Sequence, residues 1–204
     1  MKKGLYLLIA LIALGQTAWA QQQFSGGSGT ETDPYLISSV EDWNTLADNV
    51  NDGNPYSGLY FQMTADIGPI TTMIGNSKDN SFQGTFDGNG HTLDVNLNTE
   101  ELCTAPFRYV QNVTIKRLHV TGAIKTNERC SGSIVALAYG NCTFISCHSS
   151  VSIEAKSSST HENGFHGGLV GFIQDGYFIF DNCLFDGKIK IKNFDWVGGL
   201  VGYI

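Results

Sequence analysis

The feature that most constrains this chain is internal repetition. Four segments align: Ala105-Pro-Phe107, Gly132-Ser-Ile-Val-Ala136, Gly167-Gly-Leu-Val-Gly171 and Gly198-Gly-Leu-Val-Gly202. With Pro106, Ile134, Leu169 and Leu200 taken as equivalent, the steps are 28, 35 and 31 residues. A second segment follows each of the first three, running Ile115–Ile124, Phe144–Ile153 and Phe180–Ile189, with an apolar residue first and isoleucine nine residues later. Self-similarity at a period near thirty describes a stack of like units, each burying its apolar face only against its neighbours. The short alternating runs and glycine-rich punctuation make those units β. The expected fold class is all-β, a right-handed parallel β-helix with an N-terminal amphipathic capping helix.

The same alignment assigns cysteines. Leu118, Cys147 and Cys183 share one slot, three residues after the first apolar residue of the second segment. Equivalent slots in a stack of single coils lie ~4.8 Å apart. A slot shared with leucine faces inward, so Cys147 and Cys183 read as small buried hydrophobes in a ladder. That spacing leaves a bridge between them geometrically open. The remaining cysteines are Cys103, Cys130 and Cys142; five is an odd count, so at least one thiol is free or pairs outside the chain. No pair has the C-x-x-C spacing of a redox or zinc site.

Ahead of the repeats the pattern changes. Residues 1–20 have a basic start (Lys2, Lys3), an apolar stretch Leu5–Leu14 and small residues at Ala18 and Ala20. This is the pattern of a cleaved export signal with the cut after Ala20, and Gln21 in place of cysteine gives no lipoprotein mark. The apolar stretch is too short to span a ~30 Å hydrocarbon core, so no membrane span is expected after cleavage. The mature chain is therefore expected to be secreted or held at the cell surface.

Residues 21–34 are polar and glycine-rich and read as a flexible lead-in. Residues 35–58 read as a cap, with a helix over 40–51 begun by Ser39 and striped by Val40, Trp43, Leu46, Ala47 and Val50. Such a helix would cover the open end of a β core. Residues 59–204 form the β-helix, with early strands expected at Leu59–Met63, Phe82–Phe86 and Thr92–Leu97 and tight turns in Asp87-Gly-Asn-Gly-His91. Removing Lys2 and Lys3 leaves 10 basic against 19 acidic residues, a formal charge of −9, which argues against nucleic acid and anionic lipid as partners.

These residues resemble the GLUG-motif repeat, named for its Gly-Leu-(apolar)-Gly core. Gly168-Leu169-Val170-Gly171 and Gly199-Leu200-Val201-Gly202 match it directly, Gly132–Ala136 is a degenerate copy, and Ala105–Phe107 a weaker one. The upstream runs Gly29–Ser38, Tyr60–Ile67 and Phe82–Leu93 are similar to the segment that often precedes such repeats. The resemblance implies large exported bacterial surface proteins with pectin-lyase-like β-helices, and related repeats that accompany immunoglobulin A peptidases. It implies an architecture and no activity, because function lives in a site and not in the scaffold. The chain stops at Ile204, just after a fresh Gly-Leu-Val-Gly, and is expected to be a piece of a longer reading frame.

Catalytic signals are weak. His161-Glu-Asn-Gly-Phe-His166 spaces its histidines by five with a glycine between, whereas the zincin helix needs His-Glu-x-x-His. It reads as an inter-coil loop, with no metal or other cofactor expected. Asp66, Asp87, Asp94, Asp181 and Asp186 are candidates for a carboxylate pair, but Asp87 and Asp181 sit in turn dipeptides. A polysaccharide lyase needs a Lys or Arg base beside a carboxylate-neutralising cation, and none of the three arginines, Arg108, Arg117 and Arg129, sits in a motif with calcium-binding aspartates. No catalytic residue is assigned. Trp43, Tyr60, Tyr109, Tyr139, Phe172, Tyr177 and Trp196 could line a sugar-stacking groove, with Trp43 assigned instead to packing under the helix. Two readings stand: an adhesin-like module that binds a glycan or a host surface protein, and a carbohydrate-active β-helix enzyme or its binding fragment.

Overall fold

The computed structural model describes residues 24–127, 129–156, 164–192 and 195–204. The chain winds into a right-handed parallel β-helix of about five turns, with one short helix. The third coil shows the plan. Thr114–Lys116, His119–Thr126, Cys130–Gly132 and Val135–Tyr139 run in order around four faces. Six strands stack on the first face, seven on the second, and four each on the third and fourth, with every ladder pair parallel.

The ladders reproduce the sequence repeats residue for residue. Val135 lies opposite Phe107 and Val170, and Val170 opposite Val201, so Pro106, Ile134, Leu169 and Leu200 fall in one column. Ile115, Phe144 and Phe180 form a second column, and Ile124, Ile153 and Ile189 a third. The inner members are fully buried: Ile115, Phe144, Ile124, Ile153, Ile134 and Leu169 each expose 0%. The corner between the first and second faces repeats as well. Arg117, Ser146 and Asn182 occupy it on successive coils with φ of 50°, 51° and 51°, a left-handed turn that swings the strand direction in one residue.

The Gly-Leu-Val-Gly segments form the corner between the third and fourth faces. Leu169 and Val170 enter the core, while Leu200 and Val201 stand in the same places on the last coil and are only partly covered. Gly171 is where two strands pass backbone to backbone: a Cβ there would stand 2.7 Å from the Ser131 carbonyl oxygen and 2.8 Å from that of Ala136. Gly199, the motif's first glycine one coil later, has nothing within 4 Å of its Cβ position.

The N-terminal end is closed. Helix α1 spans Val40–Asn51, and Ser39 Oγ accepts the Asp42 amide hydrogen at 3.1 Å. Trp43 is wholly buried, meets Phe86 and Phe107 edge-on at 6.0 and 5.3 Å, and donates its indole N–H to the Thr72 carbonyl at 3.0 Å. No helix among the described residues is long and apolar enough to cross a membrane.

Two expectations change and one open pairing is settled. The glycine-rich lead-in is not free over residues 24–34. Phe24 is buried against Tyr35 and Phe61, and Ser25 Oγ donates to the Asp42 carboxylate at 2.7 Å. One aromatic anchor outweighs the flexibility that composition suggests. The second early strand is Thr85–Asp87, with Phe82 forming only an isolated bridge to Val110. Cys103 and Cys130, which the repeat comparison left unpaired, are joined by a disulfide, while Cys142, Cys147 and Cys183 are free.

The two motif glycines separate packing from local sequence. Gly171→Ala should cost about 1–3 kcal/mol in urea unfolding, because backbone must shift to admit the methyl group. Gly199→Ala should change the unfolding free energy by less than about 0.5 kcal/mol. Equal effects would show that the motif acts through something other than this close approach.

Candidate functional site

The third and fourth faces meet at the glycine corner, and on the side away from the main core they hold a second, smaller apolar cluster. The repeat builds it as two facing columns. Cys103, Cys130, Phe165 and Trp196 are successive register partners on the third face. Tyr109, Leu137, Phe172 and Tyr203 are successive partners on the fourth. Near the Cys103–Cys130 disulfide the columns part to leave a groove of about 380 Å³.

The groove is lined by Leu102, Arg129, Leu137, Phe165, Phe172 and Gln174. Phe165 and Phe172 stack at 5.0 Å with an interplanar angle of 27°. The Arg129 guanidinium lies 5.3 Å over the Phe165 ring, a cation–π placement on an exposed residue. Tyr203 touches Phe165 at 4.7 Å, and Trp196, 54% exposed, meets Tyr203 at 5.8 Å. The site is thus a run of aromatic faces with a fork-shaped cation and one amide at its edge. Such a surface can hold a ligand that has an apolar face and polar groups around its rim.

The aromatic residues singled out from sequence divide. Tyr109, Phe172 and Trp196 belong to these two columns. Tyr139 lies in the same cluster, under the Lys78 ammonium at 4.6 Å. Trp43 is core, Tyr60 lies on the first face, and Tyr177 is 81% exposed beside the last coil. Phe165, Tyr203 and Arg129 were not foreseen as groove residues. The signal for one of them was present, since Phe165 precedes a Gly-Gly pair by two residues just as Trp196 does.

A different constellation lies just behind Phe165. Ser131 Oγ and His166 Nδ1 are 2.8 Å apart, and His166 Nε2 is 3.4 Å from the Asp195 carboxylate. Serine, histidine and aspartate in sequence of contact suggest a nucleophile, a base and its orienting acid. Access decides otherwise. Ser131 and His166 expose 0%, and the side chain of Asp195 exposes 1%, so no substrate reaches the hydroxyl. The three residues are an internal polar brace across adjoining coils, and Asp195 also accepts the Gly164 amide hydrogen at 2.7 Å. Of the histidine motif, His161 lies outside the described residues and His166 is this buried group.

The carboxylates considered from sequence are mostly occupied at separate places. Asp87 is bound by Arg117 through two contacts and lies 3.5 Å from Lys116. Burial raises its carboxyl, but these cations and the Asn89 amide outweigh that and lower it. Asp66 accepts the Thr92 amide hydrogen, Asp94 the Thr121 hydroxyl, and Asp186 stands 2.9 Å from His148. Asp181 is exposed at the end of a first-face strand. Arg108 pairs with Glu101. Among the described residues no group of three or more His, Cys, Asp or Glu is placed to hold a metal ion.

No protein-family profile matches the chain. Over 78 residues, 33% of this chain and 1% of its relative, it is 35% identical to halomucin from Haloquadratum walsbyi. Its backbone is similar to the crystal structure of a “putative immunoglobulin A1 protease” from Bacteroides ovatus, with a TM-score of 0.59 and 18% identity over 89% of this chain. The chain covers 65% of that protein, and the likeness is one of fold.

The buried brace has a pH signature. Burial lowers the His166 imidazole below its ordinary value of 6.5, against the opposing pull of Asp195. The unfolded chain then binds the proton more readily than the folded one. The contribution is complete above pH ~6.5 and is lost as pH falls toward the folded-state value. Burial and the His148 charge lower His119 in the same direction. Urea midpoints should fall from pH 7.5 to 5.5, and His166→Gln should flatten that slope. An unchanged slope in the variant would place the titration elsewhere.

Proposed function

We propose that the chain is an exported, non-catalytic surface module of GLUG-like repeats that binds carbohydrate through the groove between its third and fourth faces. The observation that carries the reading is the pair of in-register columns, which present Phe165, Phe172, Tyr203 and Trp196 as connected ring faces beside Arg129 and Gln174. A pyranose ring offers a C–H face for the aromatics and hydroxyls for the guanidinium and the amide. The groove volume of about 380 Å³ lies in the range usual for small-ligand clefts, ~300–1,000 Å³. Export is supported by the basic, apolar and small-residue order of residues 1–20.

The enzyme reading has less support. The candidate carboxylates Asp66, Asp87, Asp94 and Asp186 each hold a neighbouring backbone or side chain, and the Ser131–His166–Asp195 set is sealed.

Glycan-array binding by the protein, followed by calorimetry on the best ligand, tests the proposal. Trp196→Ala and Phe172→Ala should each weaken binding about tenfold, the loss of ~1.4 kcal/mol of stacking. Tyr60→Ala on the first face should leave it unchanged. Retention of no glycan, or equal affinity in all three variants, would sink the carbohydrate reading. Release of unsaturated products from a polysaccharide would establish the enzyme instead.

A further inference from the structure

Cys147 and Cys183 stand at the same place on the last two coils, each directly after the left-handed corner residue, Ser146 or Asn182. The Leu184 amide donates to the Cys147 carbonyl at 2.9 Å, and the next residues, His148 and Leu184, are register partners. Their Cα atoms are therefore one coil apart, ~4.8 Å. Disulfides bridge Cα separations of ~4.4–6.8 Å. The two sulfurs also point alike. Cys147 Sγ lies 3.4 Å from the Ile115 carbonyl and Cys183 Sγ 3.3 Å from that of Phe144, and Ile115 and Phe144 are partners on adjoining coils.

The molecule contains a precedent. Cys103 and Cys130 are in-register partners on adjacent coils of the third face, and they are bridged across a Cα separation of 4.5 Å. Cys147 and Cys183 repeat that relation at the corner before the second face, yet both carry free thiols. Cys147 is fully buried and Cys183 only partly, so an incoming reagent meets Cys183 first. Cys142 is excluded as a partner, because its register neighbour on the last coil is Phe178.

We propose that Cys147 and Cys183 are a modification site, forming a second inter-coil disulfide by exchange with a small-molecule disulfide such as oxidised glutathione. The Cys183 thiolate attacks one sulfur of the oxidant, forming a mixed disulfide and releasing one glutathione thiolate. Cys147 then loses its proton and attacks the Cys183 sulfur, displacing the second glutathione. The protein gives up two electrons and two protons, and the oxidant leaves as two reduced glutathione molecules. Contact between the thiols raises Cys147, with burial adding to it, and lowers Cys183, which agrees with Cys183 as the attacking group. The new bond ties the last coil to the one before it. This site does not depend on the carbohydrate reading, and its test has a separate readout.

The test incubates the folded protein, its Cys103–Cys130 bridge intact, with oxidised glutathione and then counts thiols by alkylation and mass spectrometry. The count should fall from three to one, leaving Cys142, and peptide mapping should recover a Cys147–Cys183 cross-link. The thermal midpoint should rise by roughly 5–10 °C. Cys142→Ser should oxidise as the parent does. Cys147→Ser and Cys183→Ser should show no rise in midpoint. A thiol count that stays at three, a stable mixed glutathione adduct without the cross-link, or a bridge to Cys142 would overturn the proposal.

Discussion

In-register hydrogen bonding between successive coils is the constraint on which the rest of this structure depends. A single coil of about thirty residues has too little interior to bury its own apolar side chains. It gains that burial only when the next coil places like residues directly above, as Ile115, Phe144 and Phe180 do. The same alignment dictates what lies outside the core. A residue type that recurs at one repeat position becomes a continuous column on the surface. The aromatic groove, the stacked imidazoles of His119 and His148 at 4.4 Å and the cysteine pairs are all columns of this kind.

The two ends show what the constraint requires. At the N-terminal end helix α1 drives Trp43 into the first coils, and Phe24, Tyr35, Tyr56 and Phe61 close the remaining gap. At the other end the columns continue with less cover. Phe144 exposes nothing, whereas Phe180, its partner one coil later, is only partly buried, and Leu184 exposes 53%. For Phe144 and Phe180 the difference lies in the number of neighbouring coils, since the residue is the same.

Much of this was legible in sequence because the repeat and the coil are the same object. The columns through Ile134, Ile115 and Ile124 follow directly from aligned segments, and helix α1 from its cap and apolar stripe. The bridge between Cys103 and Cys130 was hidden by a change in turn length. Cys130 stands four residues before Ile134, but Cys103 stands three before Pro106, so a rigid alignment separates them. The Ser131–His166–Asp195 brace was hidden for another reason. Its members come from three coils and one of them, Asp195, precedes its strand, so no motif links them. The groove was half visible: the aromatics were counted, but which of them face each other depends on how sharply the glycine corner folds the third face against the fourth.

The Cys103–Cys130 bridge has a mechanical consequence. A load applied at Ile204 acts on the last coil's ladders one after another, and a stack held by nearest neighbours peels in that order. Val201–Tyr203 leaves first, then Trp196–Gly198, and each released coil lengthens the tether. At Cys130 the load passes through the covalent bond to Cys103, so the residues between the two cysteines are taken out of the load path. The bridge thus divides the stack mechanically: the coils carrying Phe172, Trp196 and Tyr203 bear tension residue by residue, while the loop between Cys103 and Cys130 bears none.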